Sequence, residues 1–191
     1  MTFEKENTRL TRVRLLQQQI YTLMWMGMKQ FVNHLQQYGL TQPQFVTLAA
    51  LVHHQKPVTM QRLAKVALQD APTMTGIVNR LVKMGVAQRT RSETDRRVVL
   101  VQATPTGSEL IAKIDREMQD ASPVSFYRLP EEDLDKLENI IDGLLLILLK
   151  QHSPLQEISL SQAKQWLQTF AADPIQFVKN QEETLSNKNL F

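Results

Sequence analysis

Between Asp70 and Gly107 the chain changes its hydrophobic period, and that change restricts what it can fold into more than any other feature. Met74, Ile77, Val78 and Leu81 recur at helical spacing, and the run stops at Gly85, a left-handed stop signal. Pro72 suits the first turn of such a helix, where its missing N–H is not needed. Two strand-like runs follow, Val86-Ala-Gln-Arg-Thr-Arg-Ser92 and Val98-Val-Leu-Val-Gln-Ala-Thr104. The charged segment Glu93-Thr-Asp-Arg-Arg97 lies between them. The pattern predicts a short helix and then a β-hairpin with arginines at its tip.

Helices account for most of the rest. Leu10, Val13, Leu16, Ile20, Leu23, Gly27, Phe31, Leu35 and Tyr38 recur every three or four residues, which predicts one long amphipathic helix ending near Gly39. Thr41-Gln-Pro-Gln44 has capping-box spacing, and a second helix runs through Phe45, Leu48, Leu51 and Val52 until Lys56-Pro57. Thr59 is placed to cap a third helix, with Leu63, Ala64 and Ala67 inward and Gln61, Arg62 and Lys65 outward. Thr104-Pro105 starts a fifth helix through Leu110, Ile111, Ile114 and Met118, interrupted at Ser122-Pro123. Pro130-Glu-Glu-Asp133 opens a sixth, with acids where the helix dipole favours them, and Ser153-Pro154 closes it. Ser159-Leu-Ser-Gln162 opens a last one through Ala163, Trp166, Leu167 and Phe170, broken by Asp173-Pro174. Ile175, Phe177 and Val178 form a further apolar patch, and residues 180–191 read as a mobile end. The fold class is therefore mainly α with a small β-hairpin wing, the layout of a winged helix-turn-helix.

Charge divides along the same lines. The net charge of the 191 residues is only +3, but residues 56–97 carry nine basic and three acidic side chains, and residues 98–152 carry five basic and ten acidic. The basic part is a candidate polyanion surface. No cysteine is present, which excludes disulfides, thiolate metal sites and a sensor that works by thiol oxidation. The polar start is no signal peptide, and the apolar run Ile140–Leu149 contains Asp142 and is too short to span a bilayer, so a cytoplasmic protein is expected. No nucleophile–base pair, carboxylate dyad, phosphate loop or metal motif stands out, so neither an enzyme nor a cofactor is expected.

Leu81-x-x-x-Gly85-Val86-x-x-Arg89, then Asp95-Arg96-Arg97, then Thr104-x-x-Gly107, resembles the MarR family of bacterial transcription regulators. The resemblance covers residues 8–150 and agrees with the order of helices. It implies a homodimer whose first, fifth and sixth helices form the dimer lobe and whose two winged helices bind a palindromic operator in double-stranded DNA. It also implies repression relieved by a small, often phenolic, ligand bound between the lobes. The corresponding organisation is a winged-helix domain over 1–152, with a DNA-binding lobe at 41–104, dimerisation helices at 8–38 and 105–150, and an added extension at 153–191.

Side-chain chemistry fits these implied roles. Arg97 is the candidate minor-groove reader, since a guanidinium there meets concentrated negative potential. Asp95, two residues away, is expected to orient that guanidinium, and Arg96 to meet a phosphate. Thr73 and Thr75 suit phosphates or thymine methyls, Asn79 adenine, and Arg80 guanine or a phosphate. Gly76 lets the helix backbone approach the groove at a cost of about 1 kcal/mol relative to alanine. The family often has a larger or basic residue there, and a serine where Ala71 stands, so Asp70 becomes the candidate cap. Gln61, Arg62 and Lys65 are expected to position the protein through phosphates.

Met24, Trp25, Met28, Phe31 and Phe45 are the candidate lining of a pocket for a small aromatic ligand, with core or dimer interface as the plainer reading. His34, His53, His54 and His152 invite a metal reading, but adjacent His53 and His54 point apart on a helix and no carboxylate lies four residues from either, so no metal is assigned. The extension carries large apolar side chains worth about 1.5–3 kcal/mol each when buried, which predicts that it docks, either on the dimer lobe or on a partner subunit. The alternative function is a winged-helix module that contacts a protein partner through this extension.

Overall fold

The sequence's first periodic run forms a single helix, α1 (Thr2–Gln36), in a computed structural model that describes residues 2–120, 129–152, 159–176 and 178–180. The chain divides into two compact units, Met1–Gln42 and Pro43–Phe191. In the first, Leu35 and Leu40 are buried while Leu16, Ile20 and Leu23 are exposed. Gly39 ends the run at φ +66°, where the Leu40 amide donates back to the Leu35 carbonyl at 3.1 Å. A residue with a Cβ pays a steric penalty for that left-handed turn, and glycine does not.

The second unit takes in α2 (Gln42–His54) from Pro43 onward, and the buried Thr47 hydroxyl donates to the Pro43 carbonyl at 2.8 Å. Next come β1 (Val58–Thr59), α3 (Met60–Val66) and α4 (Ala71–Lys83). Thr59 caps α3 by accepting from the Arg62 amide. Strands β2 (Ala87–Arg91) and β3 (Val99–Ala103) pair antiparallel with Arg89 opposite Val101. β1 adds to the far edge of β3, Val58 opposite Val101, for a sheet order β1-β3-β2. Helices α5 (Pro105–Asp120), α6 (Glu131–His152) and α7 (Leu160–Ala172) complete the unit. The core is built from Leu48 and Leu51 of α2, Leu63 of α3, Met74, Val78 and Leu81 of α4, Val101 of β3, and Ile111 and Ile114 of α5, all essentially inaccessible to water.

The mainly helical fold with a hairpin wing is thus present, with two local departures. β1 was not foreseen, because two residues after a proline carry no period; only pairing with β3 makes them a strand. Ala67, expected inward, is half-buried, and Val66 takes the inward place on α3. The breaks expected at Ser122-Pro123 and Ser153-Pro154, and residues Phe177 and 181–191, lie outside the described residues.

A hydrogen-bonded stitch explains the Thr104-x-x-Gly107 spacing. The Thr104 hydroxyl donates to the Gly85 carbonyl at 2.7 Å and accepts from the Gly107 amide at 3.2 Å, while the Thr104 amide donates to the Val86 carbonyl at 3.1 Å. This ties the end of α4 to the start of α5. A Cβ on Gly107 would collide with the Val86 carbonyl oxygen. These two motif residues therefore set the base of the wing.

Candidate nucleic-acid interface

Helix α4 shows an apolar side and a polar side, as its sequence pattern requires. Met74, Ile77, Val78 and Leu81 are buried, and Thr73, Thr75, Gly76, Asn79 and Arg80 are all exposed. Asp70 caps the helix, accepting from the Thr73 amide at 2.7 Å. Hydrogen bonds from Thr73, side chain first and then amide, hold the Asp70 carboxyl below its ordinary range. The positive end of the α4 dipole is therefore answered by the protein's own carboxylate, and any phosphate contact falls to side chains further along. The Thr75 hydroxyl donates to the Ala71 carbonyl at 2.9 Å, so outward it offers its methyl group, which suits a thymine methyl better than a phosphate. A Cβ at Gly76 would meet nothing within 4 Å. The fold itself does not require glycine there.

Helix α3 sits beside this face. Gln61 and Lys65 are exposed and Arg62 is half-buried. Gln61, Lys65, Leu68, Gln69 and Thr75 border one concavity between α3 and α4, which brings two of the α3 candidates next to the α4 face. The turn between the helices contains a residue that sequence reading passed over. Leu68 adopts φ +51° and is 89% exposed, in the position where Gly39 and Gly85 close α1 and α4. The Gln69 amide donates to the Ala64 carbonyl at 2.9 Å, completing the same turn with a leucine.

The wing loop is held by its own polar groups. The Ser92 amide donates to the Val98 carbonyl at 3.0 Å, and the Val98 amide to the Asp95 carbonyl at 2.9 Å. Asp95 departs from expectation in one respect: its carboxylate accepts from the Arg97 backbone amide at 2.9 Å and does not engage the guanidinium. The short side chain reaches its neighbour's N–H two residues on, the geometry of an Asx turn, before it can reach a flexible arginine head. Asp95 thus shapes the loop and leaves the arginine heads available. Arg96 and Arg97 are both exposed, and among the described residues neither guanidinium has an ion-pair partner. Arg89 and Arg91 on β2 are also exposed. Their i, i+2 spacing puts both on one face of the strand, a signal in the sequence beyond the charge count and the motif that contains Arg89.

The aromatic candidates are distributed differently. Met24, Trp25 and Met28 are largely exposed on α1, while Phe31 and Phe45 are half-buried. Trp25 lines a shallow surface with Arg14, Gln17, Gln18, Tyr21 and Thr22, and the Lys29 ammonium lies 5.1 Å from the Trp25 ring centroid. Among the described residues no group of three or more metal-ligating side chains converges. His53 Nδ1 bonds the Ala49 carbonyl at 2.9 Å. His54 meets a carboxylate after all: that of Asp173, at 2.9 Å and 119 residues away in sequence.

A helix-turn-helix with a polar outer face, followed by a hairpin whose tip presents two arginines, defines a winged-helix nucleic-acid-binding protein. Comparison with known proteins agrees. Residues 29–114 match the family described as transcriptional regulator SarA/Rot. The organic hydroperoxide resistance transcriptional regulator of Bacillus subtilis is 32% identical over 124 residues, covering 65% of this chain and 80% of that one. Among solved structures, wild-type MarR of Escherichia coli has a TM-score of 0.57 at 24% identity, covering 68% of this chain and 96% of that one. A variant of Staphylococcus aureus MepR bound to an oligodeoxyribonucleotide has a TM-score of 0.54 at 20% identity, covering 68% and 94%. The chain belongs to the MarR-type winged helix-turn-helix transcriptional regulators. Its matched relatives are regulators, and no described helix is long and apolar enough to cross a membrane.

Proposed function

We propose that the chain acts in the cytoplasm as a homodimeric repressor that places one α4 in each major groove of a palindromic operator and one wing beside it. The observation that carries this reading is the wing tip, where Asp95 fixes the backbone and leaves the Arg96 and Arg97 guanidinium groups exposed. Arg97 enters the minor groove and Arg96 meets a phosphate. Thr73, Thr75, Gly76, Asn79 and Arg80 face the bases, and Gln61, Arg62 and Lys65, joined by Arg89 and Arg91, track the backbone. Two recognition helices must sit about 10 bp apart to bind together, which requires two copies. Exposed apolar side chains on α1 (Leu16, Ile20, Leu23) and on α6 (Ile140, Ile141, Leu144) supply surface for that pairing. The domain organisation expected from the sequence follows: a winged-helix lobe over 41–104, dimer helices on either side, and an added extension.

The effector class we assign is a small aromatic molecule, supported by the exposed Trp25 ring and its neighbouring Lys29 cation. A response through thiol oxidation is not open to a sequence without cysteine. The test titrates the protein onto DNA from upstream of its own gene, with unrelated DNA as control, for wild type and Arg97→Ala at two salt concentrations. Preference for the upstream DNA, weakened by the substitution and by salt, is expected. Equal weak binding to both DNAs, unaffected by Arg97→Ala, refutes the reading and favours the protein-contact alternative.

A further inference from the structure

The C-terminal extension makes two sets of directed contacts within its unit. At one end, Lys164 of α7 reaches Glu138 Oε1 and Asp142 Oδ2 of α6, each at 2.8 Å. Those two carboxylates push the Lys164 ammonium above its ordinary range, Asp142 foremost. At the other end, the Asp173 carboxylate accepts from His54 Nδ1 at 2.9 Å and from the Ile175 and Gln176 amides at 3.1 and 2.9 Å. One side chain therefore caps the next helical turn and grips the last residue of α2. Ala163 and Ile175 are fully buried and anchor the segment apolarly.

His54 is well placed to transmit force. Four residues later Val58 pairs with Val101 of β3, and the following Thr59 caps α3. A continuous series of bonds thus runs from α6 through Lys164, α7, Asp173 and His54 to the base of the helix-turn-helix. We propose that the extension is an intramolecular strap that ties α6 to the base of the helix-turn-helix and so sets where α3, α4 and the wing lie relative to α6. The Lys164 pairs are part-exposed and individually weak. The strap is thereby a device by which docking of the extension tunes the spacing of the DNA-reading elements. Its consequence for DNA rests on the regulator reading above; the strap itself does not.

The absence of cysteine makes a direct test clean. Gln88→Cys on β2 and Asp135→Cys on α6, both exposed, take spin labels, and excess unlabelled chain isolates the distance within one copy. In DNA-free protein of full length, a narrow distance distribution is expected. His54→Leu, which removes the donor to Asp173, should lower the ratio of docked to undocked strap about tenfold and broaden the distribution. His54→Asn, which keeps a donor near the Nδ1 position, should restore it, and Lys164→Ala at the opposite end should broaden it again. A distribution that stays narrow in His54→Leu or in Lys164→Ala overturns the proposal. Operator affinity measured on the same variants should fall with the broadening. If wild type does not prefer upstream DNA, the regulator reading fails while the distance result still decides the strap.

Discussion

Gly76→Ala should make this protein more stable and a poorer DNA binder, and the two effects have separable origins. Gly76 lies in the interior of the thirteen-residue helix α4, outside the left-handed region, and a Cβ there would meet no atom within 4 Å. Alanine therefore brings no clash in the free protein and removes glycine's excess backbone entropy, a gain of about 1 kcal/mol. In a chain of this size that raises the thermal midpoint by roughly 2–4 °C. In the proposed complex with DNA, the same methyl group would occupy the space through which the helix backbone approaches the groove. Overpacking a tight contact by one methyl costs about 1–3 kcal/mol, so affinity for the operator should drop about tenfold. Thermal unfolding of the free protein and anisotropy titration with labelled upstream DNA measure the two halves. Higher stability with unchanged affinity refutes the close-approach argument. Lower stability refutes the claim that the fold leaves that space open.

The other glycine and turn substitutions separate in the same manner. Gly107→Ala puts a Cβ against the Val86 carbonyl oxygen, so it should destabilise by about 2 kcal/mol or more and lower the midpoint in a denaturant titration. Leu68→Gly relieves a left-handed leucine that is almost fully exposed, and chemical denaturation should show a gain of about 1 kcal/mol. Asp70 has a folded-state pKa below its unfolded value of 3.8, so its capping contribution is complete above 3.8 and is lost as pH falls through the lowered folded value. Urea midpoints compared between pH 7 and pH 3 should fall less in Asp70→Asn than in wild type; an equal fall would refute the cap's role in the acid response.

Local periodicity was enough to read most of the fold. Each helix of the winged region announces itself by apolar side chains three and four apart, and its ends by residues that act within one turn, such as Thr59, Asp70 and Gly85. The polar face of α4 was legible for the same reason, because burying Met74, Ile77, Val78 and Leu81 leaves only one set of side chains outward. Leu68 was passed over because its type gives no turn signal; the backbone alone puts it at positive φ. The aromatic group on α1 was harder to assign, since an exposed and a buried amphipathic stripe have the same spacing.

The sequence by itself determined the order of elements, their caps and stops, and the concentration of cations on a hairpin tip, all of which depend on interactions between residues a few positions apart. Only the tertiary structure decided the rest. It turned Val58-Thr59 into a strand by supplying β3 as a partner, aimed Asp95 at a backbone amide, gave Thr104 and Gly107 their work against Gly85 and Val86, and brought Asp173 to His54. Those contacts close loops of up to 119 residues. Their partners are chosen by how the packed core positions the elements, and no periodicity along the chain records that choice.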